Sequence, residues 1–283
     1  MYWLFLSVAL YAVNNILWKL FVKDEQPLRI INRRALFTVL ISLSALWFTH
    51  TDIMAFVSNP RAIFVLLASL FGTAGLVMMV TFLKEGSLVR MGFYSLLGSF
   101  IAAGYTYLFR EAPVSPKTGV GALLIISGYL LFLFHEKRQI KAQPALLSQH
   151  LLLVGMTLCF SISLLIQWES LKIFPPLAII STQEITVLLA SFMALIVTKP
   201  THIQPVNHIR TGAKTAIMAM VIFAGIFSGT LGLKSADPFL ASLTGISVPV
   251  LTVIAAGIVF RDKLNLFHLF SLLLMIAGGV ALL

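Results

Sequence analysis

Ten apolar stretches separated by short polar connectors run the length of this chain. They extend from Met1 to Phe21, Ile30 to Phe48, Ala62 to Leu83, Leu88 to Phe109 and Gly119 to Phe134, then from His150 to Gln167, Leu177 to Val197, Lys214 to Leu233, Pro238 to Phe260 and Leu264 to Leu282. A helix rising about 1.5 Å per residue needs about 20 apolar residues to cross the hydrocarbon of a bilayer, so each stretch predicts a membrane span, the fifth a short one. Turn residues mark the joints, as in Ser58-Asn59-Pro60, Pro113-Val114-Ser115-Pro116, Phe174-Pro175-Pro176 and Asp237-Pro238. The longest polar stretches, His135 to Ser148 and Thr198 to Arg210, are too small for a soluble domain. The first of them is the natural joint between two halves.

Polar residues inside the spans fall at helical spacing, three and four apart. The first span carries Ser7, Tyr11, Asn14, Asn15 and Trp18 along one stripe. The fourth carries Ser87, Arg90, Tyr94, Ser95, Ser99 and Tyr105. The seventh carries Ser181, Glu184 and Ser191, with Gln183 beside them, and the ninth carries Ser242, Gly245, Pro249 and Thr252. The fifth and tenth spans are almost wholly aliphatic with glycine. Striped helices predict a polar lining, and plain helices predict a periphery.

The pattern repeats. A shift of 151 positions lays Phe109-Arg110-Glu111 on Phe260-Arg261-Asp262, Ile125 on Ile276, Gly128 on Gly279 and Leu131 on Leu282. A shift of 149 lays Pro27-Leu28 on Pro176-Leu177, and a shift of 150 lays Leu83-Lys84 on Leu233-Lys234. The expected organisation is two repeats, residues 1–140 and 141–283, of five helices each. An odd number of spans per repeat inverts the second relative to the first, as in many secondary transporters.

Composition fixes the solvent. The chain is 59% hydrophobic and 11% charged, against about 25% charged in soluble domains, so its surplus apolar surface calls for lipid. Backbone polar groups in lipid need internal partners, which predicts an all-α integral membrane protein. Met1-Tyr2-Trp3 lacks a basic leader and reads as the start of a permanent span. The net charge of +10 sits at helix ends, where it sets orientation and meets anionic lipid, and it is no nucleic-acid signal. The odd-numbered connectors with their adjoining span ends hold 15 Lys and Arg against 5 at the even ones, a bias that places the termini outside. Cys159 stands alone, which excludes an internal disulfide. The histidines show no metal spacing. Phosphate-loop, His-Glu-x-x-His and Gly-x-Ser-x-Gly motifs are absent from the sequence, which argues against an enzyme and predicts no cofactor.

Two stretches carry a family resemblance. One is Phe109-Arg110-Glu111 leading to Gly121-Ala122-Leu123-Leu124-Ile125-Ile126-Ser127-Gly128. The other is Ser247-Val248-Pro249-Val250-Leu251-Thr252 leading to Phe260-Arg261-Asp262-Lys263-Leu264. The chain resembles the drug/metabolite transporter superfamily in its ten-helix EamA-like branch. Gly98 stands where the second half has Pro249. The resemblance implies that the first four helices of each half surround a central cavity while the fifth packs outside. It also implies cytoplasmic termini, opposite to the charge bias. It leaves the substrate open, since the superfamily moves amino acids, nucleobases, sugars, nucleotide sugars, cholines and drugs.

The expected function is a secondary active transporter of a small organic metabolite, working by alternating access through that cavity. The location implied is the plasma (inner) membrane of a bacterium, with one chain sufficient. The candidate lining is Asn14, Asn15, Trp18, Arg90, Tyr94, Ser95, Gln183 and Glu184. Asn14 and Asn15 are side-chain amides deep in a span, where each needs a partner, either a neighbouring helix or a substrate. Glu184 is a candidate for coupling to a proton or ion; otherwise it is the acidic half of a structural ion pair with Arg33, Arg34 or Arg90. Arg33 and Arg34 open the second span and read as interface anchors, or as a carboxylate or phosphate site if one turns inward. Lys19 reads as interfacial. An excess of basic groups near the path favours an anionic or zwitterionic substrate. The alternatives are a flippase or exporter of a lipid-linked or amphiphilic substrate, and a membrane binding protein without transport.

Overall fold

The computed structural model describes residues 2–23, 25–110, 116–142, 146–198, 208–235, 247–261 and 265–282. Glu111, Asp237, Pro238, Ser242, Gly245 and Asp262 lie outside the described residues, and so do the side chains of Ser99 and Pro249. All described elements are helical: α1 (Tyr2–Val22), α2 (Pro27–Phe48), α3 (Ile53–Val57), α4 (Ala62–Glu85), α5 (Leu88–Arg110), α6 (Pro116–Ala142), α7 (Leu146–Ser170), α8 (Pro176–Thr198), α9 (His208–Ser235), α10 (Ser247–Val259) and α11 (Leu266–Leu282). Six of them, α1, α2, α4, α7, α8 and α9, are long and apolar enough to cross a membrane. The short α3 falls in a connector and was not legible from periodicity. It begins where the Asp52 carboxylate accepts the Ala55 N–H at 3.0 Å.

The helix starts follow from sequence. Pro27 opens α2 and its repeat mate Pro176 opens α8, since proline lacks the N–H that a first turn leaves unbonded. Within the spans, hydroxyls bond back to their own helix, as Thr73 does to Ser69 O at 2.7 Å and Thr230 to Ile226 O at 2.7 Å. Leu40, Trp47, Leu123, Phe192 and Leu251 face outward and exposed, an arrangement suited to lipid.

The packing pairs one half with the other. The most extensive contacts are α6 with α11, α4 with α7, α1 with α9 and α2 with α8. Contacts of α4 with α8 are matched by those of α2 with α9, and contacts of α5 with α7 by those of α1 with α10. Close approaches fix helix directions. Leu4 lies against Gly232, Ser7 against Gly229 and Leu10 against Gly225, so α1 and α9 run antiparallel. Gly72 against Ser163, Gly75 against Phe160 and Met78 against Gly155 show the same for α4 and α7. At the α6–α11 crossing two glycines are required. A Cβ on Gly128 would come within 2.7 Å of Ser271 O, and one on Gly278 within 2.6 Å of Gly121 O.

Candidate functional site

A cavity of about 360 Å³ opens between the halves. α1 supplies Tyr11, Asn14, Asn15 and Trp18, α2 supplies Arg34, and α5 supplies Met91 and Ser95. α4 lines it with Gly72, Leu76 and Met79, and α7 with Phe160, Ser163, Leu164 and Gln167. α8 adds Gln183, Glu184 and Val187, α9 adds Ile222 and Ile226, and α10 adds Val248. Among the described residues, α6 and α11 contribute no lining side chain. The striped helices therefore line the cavity and the plain ones pack on each other.

At the centre is an ion pair. Arg34 Nη1 donates to Glu184 Oε2 at 2.8 Å, and each side chain is 1% exposed. The Thr38 hydroxyl donates to the same oxygen at 2.5 Å and also lies 3.1 Å from Ala35 O. Both partners offset the cost of burying the charged pair away from water. The anchor expectation is corrected for Arg34: it turns inward, and the carboxylate it meets belongs to the chain itself. Arg33, on the next position and so rotated by about 100°, stays partly exposed and pairs with Glu25 at 2.9 Å. The Arg34 guanidinium also sits 5.8 Å from the Trp18 ring.

Amides and hydroxyls complete the polar wall. Asn15 Nδ2 donates to Thr252 Oγ1 at 3.1 Å, tying α1 to α10. Gln167 Nε2 donates to Ser163 Oγ at 3.1 Å and to Gln183 Oε1 at 3.2 Å, tying α7 to α8. Among the described residues three buried atoms of the lining have no partner: Asn14 Oδ1, Trp18 Nε1 and Arg34 Nε. Leaving such a group unmet costs about 1–3 kcal/mol, so a guest or water is the natural complement.

Of the eight candidates, Asn14, Asn15, Trp18, Ser95, Gln183 and Glu184 come together in this cavity. Arg90 and Tyr94 do not line it. Arg90 Nη1 reaches Gln149 Oε1 at 3.3 Å, and the Tyr94 hydroxyl meets His150 Nδ1 at 2.6 Å with Tyr129 and Phe132 around its ring. Periodicity merged two adjacent faces of α5. Met91 and Ser95 look into the cavity, while Arg90 and Tyr94, one position earlier on each turn, look toward α7. Lys19 is half-buried and caps the end of α4, donating to Leu83 O at 2.9 Å and Gly86 O at 2.6 Å, where a cation suits the helix dipole. Sequence reasoning offered Arg34 as one of three partners for Glu184 without placing it in the lining, and it missed Ser163 and Gln167. The last two sit four apart with Phe160 and Leu164 on one face of α7, so the same stripe test applied to the sixth span reveals them.

Helices suited to lipid, arranged around a cavity drawn from both halves of the chain, are what a membrane transport protein requires. Residues 1–134 match the EamA-like transporter family. The match over that stretch is consistent with the drug/metabolite transporter superfamily read from the sequence. One solved crystal structure of another protein shares the fold at a TM-score of 0.69, over 98% of this chain and 96% of that one, with 14% identity. No curated protein matches the sequence.

Proposed function

We propose that the protein is a secondary transporter of a small organic metabolite, working by alternating access between two inverted five-helix repeats in ten spans. The cavity carries this reading: it lies among helices of both halves and holds buried polar atoms without partners. The pairing of contacts under exchange of the halves, and the antiparallel run of α1 with α9 and α4 with α7, support the inverted repeat.

The charge of the cavity argues against a simple anion site. Arg34 is matched by Glu184, and Arg90 and Lys19 lie outside the lining, so the described walls are electrically balanced. A neutral or zwitterionic solute fits without compensation, and an anion fits if its charge is balanced by a proton.

The test is flux. Protein reconstituted into sealed vesicles is expected to move at least one member of a metabolite panel selected by thermal stabilisation. Ser95→Trp, which fills the cavity, is expected to abolish that movement with helix content unchanged. Binding without flux would establish a membrane binding protein instead, and lipid scrambling without solute flux would establish the flippase alternative.

A further inference from the structure

We propose that Arg34 is shared between Glu184 and a guest: the cavity takes a small organic carboxylate on Arg34 Nε–H and Trp18 Nε1–H while Glu184 takes up a proton. This rests on the transport reading for the purpose of the cavity, but its chemistry is tested by binding alone.

The donors are already in place. Arginine carries five N–H donors in a planar fork. Nη1 is committed to Glu184, whereas Nε is buried without a partner among the described residues. Trp18 Nε1 is in the same state, and the guanidinium carbon stands 5.8 Å from the Trp18 ring. Both unmet donors belong to lining residues, one of them is charged, and a carboxylate brings an acceptor oxygen for each. The remaining walls, with Phe160, Leu76 and Val187, suit an apolar body behind that head group.

Charge then dictates the proton. Arg34 and Glu184 are the only charged side chains among the described lining residues. A second carboxylate beside one guanidinium leaves a net negative charge in a site shielded from water. Two carboxylates that share such a site do not both stay ionised. The groups around Glu184 are Arg34 and Thr38 from α2 and Tyr11 from α1, with Gln183 on its own helix. α4 and α9, which also pack on α8, bring no ionisable side chain into the lining among the described residues. Thr38 is built for the exchange. Its hydroxyl donates to the ionised carboxylate, and by turning toward Ala35 O or Arg34 O it frees an acceptor lone pair for a protonated Glu184. The proton comes from the bulk solution, relayed through water entering with the guest, so that guest anion and proton are taken up together. It leaves when the guest departs and Arg34 returns to Glu184. For a monocarboxylate the cycle is electroneutral.

Calorimetry on the full chain in lipid nanodiscs tests this, using phenylacetate and cinnamate against their neutral amides in buffers of different ionisation heat. The acids are expected to bind about tenfold more tightly than the amides. Each acid is expected to take up about one proton per molecule bound, and the amides none. Glu184→Gln is expected to bind the acids without proton uptake. Because that variant leaves Arg34 unmatched, the double variant Arg34→Gln/Glu184→Gln serves as a folded control, and it is expected to lose the preference for acid over amide. Acid binding without proton uptake overturns the proposal, as do amides binding as tightly as acids, uptake persisting in Glu184→Gln, or no acid binding at all. Each of those results leaves the flux test of the transporter reading intact, since flux of another solute would survive it.

Discussion

The α2–α8 seam and the α6–α11 seam both join one half of the chain to the other, yet polar bonds run along the first, whereas the second relies on close backbone approach along its length with one polar contact, Asn265 Nδ2 to His135 Nε2 at 2.7 Å, at its end. Along α2, Asn32 donates to Leu188 O at 3.1 Å and to Ser191 Oγ at 3.0 Å, and Arg34 and Thr38 grip Glu184. Along α6, Gly128 and Ile125 lie against the backbone and aliphatic side chains of α11, with Gly278 in return. Lipid offers no hydrophobic force between helices, so a seam must be held either by close backbone approach or by polar bonds. Close approach needs only small residues. Polar bonds bring the desolvation of charge with them, and in the α2–α8 seam the charged pair lies in the cavity wall.

Substitutions that exchange the two means sharpen the contrast. Arg34→Gln has the largest expected effect, because it strands the Glu184 carboxylate. A loss of about 3–5 kcal/mol is expected in denaturant unfolding of the detergent-solubilised protein, with most of it regained in Arg34→Gln/Glu184→Gln. Gly128→Leu comes next. It forces α6 from α11 and is expected to cost about 1–3 kcal/mol, while the folded fraction keeps its flux. If flux falls as far as stability does, the plain seam shares in transport and the contrast fails. Asn32→Leu removes two bonds of the polar seam and is expected to cost about 1–2 kcal/mol by the same measurement. The smallest effect belongs to the exposed pair of Lys172 and Glu169, 2.6 Å apart away from both seams, where Glu169→Gln should change stability by less than about 1 kcal/mol.

Much of this was legible in the sequence. The apolar stretches gave the positions of the long helices, and the shift of Pro27 onto Pro176 gave the matching starts of α2 and α8. The stripe on α1 pointed Tyr11, Asn14, Asn15 and Trp18 into the cavity, where they are found. What escaped were choices between neighbours. Arg33 and Arg34 are adjacent, and only the position of Glu184, 150 residues away, decides which one turns inward. Likewise Tyr94 and Ser95 sit on touching faces of one helix, and the phase of α5 against α7 separates them. Periodicity gives a face to within about one residue, and a site can be narrower than that.

Asn32, Arg34 and Thr38 occupy less than two turns of α2, about 9 Å of helix, and all three clasp α8. In the alternating access proposed above, a row of bonds so short would act as a hinge pin. Pivoting about it leaves α2 and α8 nearly still and gives the widest sweep to helices anchored elsewhere. α5 and α10, which pack on each other and on α7 and α1, are such helices. Pairs of probes on those two would report the lever's travel, and the pin would stay silent.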